Sequence, residues 1–125
     1  MGTVYDDERL RFYWRESGWA ADHATLAKKF PDRNTLVQSE TLDGRYWLVA
    51  VNADVEPGEV YLFDRTTKEA ALQYRLRERV PRESLAPMLA IHYPSSDDLE
   101  IPAFVTLPKG VEPKGLPLIV FPHGG

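Results

Sequence analysis

"TLVQSETLDGRYWLVAVNADVEPGEVYLFDRTTKEAALQYRL", from Thr35 to Leu76, decides the fold of this chain. It divides into four apolar runs separated by turn residues. "TLVQSET" alternates, and Asp43-Gly44 then offers the positive φ that a tight hairpin needs. "RYWLVAV" is almost continuously apolar, as suits a strand covered on both faces. "EVYLFD" follows "EPG", and after the polar turn "RTTKE" comes "ALQYRL". In that last run Leu72, Tyr74 and Leu76 are expected on one face, with Gln73 and Arg75 on the other. Four antiparallel strands in about forty residues is the size of one β-propeller blade. On these residues alone a plain four-stranded meander in another β fold stays open.

Working outward, "LRFYWRE" upstream predicts a strand and "DHATLAKKF" a short helix. Asp22 is its expected N-cap, Leu26, Ala27 and Phe30 its apolar face, and Lys28 and Lys29 its last turn. Downstream the composition changes, because eight of the ten prolines lie between Pro81 and Pro122. The boundary falls at about Glu83 to Met88, giving one unit of residues 1–86 and a second of residues 87–125. There "LAIHY" and "IPAFVTL" predict two strands around a turn with Asp97 and Asp98 at its tip. The run "LPLIVF" has the character of a central strand in a covered sheet.

Composition narrows the classes of function. The 125 residues are 43% hydrophobic and 27% charged, as in soluble globular domains. The 15 basic and 19 acidic residues give a net charge of −4, without a basic cluster, so nucleic acid is not an expected partner. There is no cysteine, hence no disulfide framework and no thiolate metal site. The acidic N-terminus lacks the layout of a secretory signal, and no apolar run reaches membrane-spanning length. A cytoplasmic location without membrane attachment is the expectation.

Few residues carry chemistry. Asp6-Asp7-Glu8 and Asp97-Asp98-Glu100 read as solvated charge rather than calcium ligands. His23 and His92 have no partner at a metal-ligand spacing, so no metal or other cofactor is expected. His23 reads as a helix-surface residue, and Trp14, Trp19 and Trp47 as packing residues. Ser17, Ser39, Ser84, Ser95 and Ser96 are the only serines, and none stands in a G-x-S-x-G elbow. His123-Gly124-Gly125 ends an apolar run, where bare glycine N–H groups can face a developing oxyanion. A simple tight turn is the competing explanation of those glycines.

At this point "LAPMLAIHYPSSDDLEIPAFVTLPKGVEPKGLPLIVFPHGG", Leu85 to Gly125, resembles the propeller-to-hydrolase junction of the prolyl oligopeptidase family of serine peptidases. It is most similar to the acylaminoacyl-peptidase and dipeptidyl-peptidase-like branch. The family pattern there runs through a Ser-Asp-Gly hairpin, a strand "I-x-A-x-L-T-L-P-x-G", a loop and "P-L-I-V-x-x-H-G-G-P". Asp98 departs from it, standing where the family usually has Gly. The resemblance implies a mainly β fragment: the end of a β-propeller followed by the first strands of an α/β-hydrolase domain. It also implies that His123, Gly124 and Gly125 support the oxyanion hole, with the Gly125 N–H as donor, while the triad Ser, Asp and His lie beyond the chain end. The expected parent is a serine-type peptidase acting on short peptides through an acyl-enzyme, and the chain by itself is expected to be inactive. A non-catalytic β-propeller-like binding module is the alternative.

Overall fold

A computed structural model describes residues 2–6 and 10–122. The described chain is mainly β, with 46% strand and 14% helix. Strands β1 (Gly2–Asp6) and β2 (Leu10–Trp14) form a hairpin, and helix α1 (Ser17–Lys29) follows. Strands β3 (Asn34–Glu40), β4 (Tyr46–Ala53), β5 (Glu56–Asp64) and β6 (Glu69–Arg75) make one antiparallel sheet in sequence order. A 3₁₀ turn (Arg82–Ser84) leads to a second hairpin, β7 (Met88–Pro94) and β8 (Glu100–Thr106). The four expected strands are therefore all present, and β1 is an addition.

The core lies between one face of the four-stranded sheet and α1. Cross-strand partners share a face, which places Val37, Val49 and Tyr61 together and Trp47 beside Phe63. Leu26 of the helix closes over Trp47, Val49, Val51 and Phe63, all fully buried. Burying side chains of this size contributes about 1.5–3 kcal/mol each, so this cluster is the main support of the fold. The opposite face is only partly covered: Ala50 and Val60 are buried, but Leu36, Leu62 and Tyr74 are exposed.

Two turns depend on backbone handedness. In the β3–β4 loop only Gly44 has positive φ, at 67°; Asp43 does not share it. The Gly44 N–H instead closes a turn on the Thr41 carbonyl at 2.8 Å, and Asp43 Oδ1 accepts from the Thr41 hydroxyl and the Arg45 N–H. At the β7–β8 tip Asp98 takes φ 63°, the left-handed conformation its position requires. Asp does so at a cost of about 1 kcal/mol relative to glycine.

Helix α1 departs from expectation in a way that matters. It begins five residues before Asp22, with Glu16 at the N-cap, so Asp22 is interior and buried at 3% exposure. The buried or half-buried stripe is Trp19, Asp22, Leu26 and Phe30, which follows the three-and-four spacing of one helix face. Ala27 is exposed. A second correction concerns β6. Tyr61 pairs with Leu72 and Val60 with Tyr74, so Gln73 is an extra residue and Leu72 and Tyr74 lie on opposite faces. A bulge of one residue reverses the alternation beyond it.

Leu118 to Phe121 form no strand and are 76–91% exposed. A central strand exists only when its N–H and C=O groups have ladder partners on both sides. No described segment supplies them.

Candidate functional site

His123, Gly124 and Gly125, the expected oxyanion-hole residues, lie outside the described residues. The polypeptide leading to them from Leu107 to Pro122 is irregular and mostly exposed, with left-handed glycines at Gly110 and Gly115. Among the described residues, none of the five serines meets an acid–base partner suited to nucleophilic catalysis. The Ser84 hydroxyl donates to the Pro81 carbonyl at 2.7 Å, and that of Ser95 bonds the Asp97 carboxylate within its own turn. Among the described residues no group of three His, Asp or Glu could hold a metal ion.

His23 is not a surface residue. Its ring is 4.2 Å from that of Phe12 and 5.4 Å from that of Trp14, and Nε2 lies 3.3 Å from both oxygens of Thr35. Burial lowers its pKa, and the contact with the Thr35 carbonyl opposes that only in part. His92 is an exposed residue of β7. Trp14, Trp19 and Trp47 form a packed series, with centroids 5.1 Å and 4.3 Å apart, as their packing role predicts.

Two polar clusters went unread in the sequence. In the first, Asp22 Oδ2 accepts from Arg65 Nε at 2.8 Å, and Oδ1 is bound by the Lys68 ammonium. Arg65 lies 4.5 Å from the centroid of Trp47 and donates through Nη1 to the Gly44 carbonyl at 2.7 Å. It thereby joins the helix, the β3–β4 loop and the β5–β6 turn around one guanidinium.

The second cluster sits at the end of the sheet where β4 turns into β5 and where the chain leaves β6. Glu59 is 4% exposed and its carboxylate takes four hydrogen bonds. Tyr61 Oη (2.7 Å) and Arg33 Nη1 (3.3 Å) reach Oε2, while Arg75 Nε (3.0 Å) and Arg82 Nη2 (2.9 Å) reach Oε1. Burial acts to raise this carboxyl, but the bonds from Tyr61, Arg75 and Arg82 together outweigh it and hold its pKa below the ordinary value. Burial and the bond to Glu59 raise the Tyr61 phenol in turn. Neighbouring Glu56, 7% exposed, is ion-paired with Arg33 and with Arg82. Its Oε1 is buried and lies 2.7 Å from Arg82 Nη2.

A cavity of ≈ 330 Å³ opens beside this cluster, between residues 56–58 and 75–82. Gly58 allows its shape: with φ 118° it brings the backbone against Leu76, whose N–H donates to the Gly58 carbonyl at 2.8 Å. The Met88 N–H bonds Asp54 Oδ2 at 2.6 Å, so the second hairpin starts at this same end of the sheet. Sequence inspection could have noticed the density of arginine and glutamate in 56–82, but not that three distant segments converge on Glu59.

The chain is 26% identical over 96 residues to dipeptidyl aminopeptidase BIII of Pseudoxanthomonas mexicana, covering 71% of this chain and 14% of that protein. It is 27% identical over 83 residues to dipeptidyl peptidase family member 6 of Caenorhabditis elegans, covering 66% of this chain and 11% of that protein. The chain therefore spans a small part of the length of these relatives. No protein-family model matches it, and no solved structure does. Both relatives are named as dipeptidyl peptidases, and both likenesses are weak and partial.

Proposed function

We propose that this chain is the propeller-to-hydrolase junction of a cytoplasmic serine-type peptidase that cleaves short peptides. The observation that carries the proposal is the likeness to two dipeptidyl peptidases across most of the chain. A four-stranded antiparallel sheet followed by a proline-flanked hairpin supports it, since a blade leading into a hydrolase domain has that order. In the proposed mechanism a Ser, supplied from outside these residues, attacks the scissile carbonyl. A His takes the hydroxyl proton and returns it to the leaving amine, and an Asp orients the His. The N–H of Gly125, with a second donor after the nucleophile, stabilises the tetrahedral oxyanion. The 125-residue chain by itself has no nucleophile and turns over nothing.

The test uses the longer gene product that contains this chain, incubated with dipeptidyl anilides and with a fluorophosphonate that labels active serines. Hydrolysis, stoichiometric labelling and a loss of kcat of about a hundred- to thousandfold in Gly125→Pro, with Gly125→Ala much less affected, are expected. Only proline removes the N–H. A longer product that takes no label and hydrolyses no peptide overturns the peptidase and leaves the non-catalytic binding module.

A further inference from the structure

The cavity beside Glu56 and Glu59 has an unequal supply of hydrogen-bonding groups. Glu59 already accepts four bonds, about all that a carboxylate offers. The arginines are far from used up. Arg75 commits Nε to Glu59, Arg77 commits Nη1 to the Pro57 carbonyl, and Arg82 commits Nη2 to the two carboxylates. Each guanidinium carries five N–H donors, and Arg75 and Arg82 are about half-exposed. Three lining arginines against Glu56 and Glu78 leave the walls with one net positive charge. The cavity thus lacks acceptors, above all a charged one that can take a bidentate guanidinium.

Glu56 lines the same cavity, but its Oε1 is buried and already paired with Arg82 Nη2 at 2.7 Å, so it adds no further acceptor. The best complement is a ligand with an anionic acceptor for the arginines. Leu76, Val80 and Pro81 add an apolar wall, which favours a carboxylate on a small apolar body over a bare phosphate. The volume is of the size that holds a small ligand.

We propose that this cavity binds the C-terminal residue of a short peptide, its carboxylate on Arg75, Arg77 and Arg82. The choice of a peptide, rather than another carboxylate, rests on the peptidase proposal above. On that basis the pocket would hold the tail of a substrate at the end of the blade where the second hairpin begins.

The test titrates the full 125-residue chain with N-acetyl-alanyl-alanine as the free acid, with its C-terminal amide, and with inorganic phosphate, reading backbone amide shifts by NMR. The free acid is expected to shift residues 56–58 and 75–82 saturably and to bind at least about tenfold more tightly than the amide, as charge-assisted bonds imply. Arg77→Gln, which leaves the Glu59 bonds intact, should weaken the free acid about tenfold. Glu78→Gln, by removing a like charge, should tighten it. Equal binding of acid and amide, phosphate binding alone, shifts confined to other residues, or no saturation would overturn the proposal. Turnover by the longer product is measured apart: binding without turnover removes the peptidase and keeps the pocket, and turnover without binding removes the pocket alone.

Discussion

Asp22 separates two accounts of helix α1 that differ in measurable energy. As an N-cap it would be replaceable by serine, which caps about equally well, with a change of only a few tenths of a kcal/mol. In the structure it is an interior residue whose carboxylate is bonded to Arg65 at 2.8 Å and to Lys68, with side-chain exposures of 4% for Asp22 and 21% for Arg65. Asp22→Ser removes a charge-assisted bond from a largely buried guanidinium, which costs about 1.5–3 kcal/mol. Lys68, 46% exposed, re-enters solvent cheaply. Arg65→Met should cost more, about 3–5 kcal/mol, because it leaves the buried carboxylate with Lys68 alone and removes the cation over Trp47, worth about another 1 kcal/mol. Urea unfolding at pH 7, followed by tryptophan fluorescence, measures both variants and the double mutant. A coupling energy above about 1 kcal/mol is expected for residues sharing one ion pair. Asp22→Ser within about 0.5 kcal/mol of the parent would refute the buried ion pair and restore the capping role.

Phe63→Ala should destabilise by about 3–5 kcal/mol, since the ring is fully buried against Trp47; the same urea titration checks it. Gly58→Ala should cost more than about 1 kcal/mol, because φ is 118° and the added Cβ would stand 3.2 Å from Leu76 Cδ1; the loss should persist in a Leu76→Ala background, where the clash is gone but the backbone strain is not. Asp64 should titrate near its depressed pKa of about 2, held there first by its hydrogen bond from Arg45. Its contribution to stability is then complete above pH 3.8 and lost as pH falls through about 2. Arg45→Gln should move the carboxyl midpoint upward in a carbon-detected NMR titration, and an unmoved midpoint would exclude Arg45 as the cause. His23 is lowered by burial, so the unfolded chain binds its proton first and stability should decline as pH falls below 6.5. His23→Gln should flatten that slope between pH 7.5 and 5.5.

The strands were legible because each carries its own local signal. β4 is a continuous apolar run: Trp47, Val49 and Val51 are buried against the helix, and Ala50 is buried on the opposite face, which is only partly covered. Asp98, expected at a turn tip but departing from the family's glycine, takes the left-handed conformation there. The failures have a common physical origin in cooperation between distant residues. Nothing within "ALQYRL" says that Gln73 is bulged out, because a bulge is a property of register with β5 rather than of one strand. Asp22 carries the residue type of a cap, and only the positions of Arg65 and Lys68, more than forty residues later, convert it into a buried counter-ion.

The candidate chemistry divides in the same way. A glycine loop after an apolar run is a local motif, so His123, Gly124 and Gly125 could be singled out by inspection, and the likeness to dipeptidyl peptidases keeps their proposed role attached to a peptidase. The arginine-lined cavity has no such motif. Its groups come from the start of β5, the end of β6 and the segment after it, three places that only the antiparallel pairing brings together. Glu56 and Glu59 illustrate why. Three residues apart in β5, in a sequence they are two surface acids, each of a kind rarely buried. Both are buried because Arg33, Arg75 and Arg82 arrive from elsewhere to neutralise them. An arginine that must neutralise a buried carboxylate has donors left over, and those leftover donors are what give this end of the sheet its capacity to hold an anion.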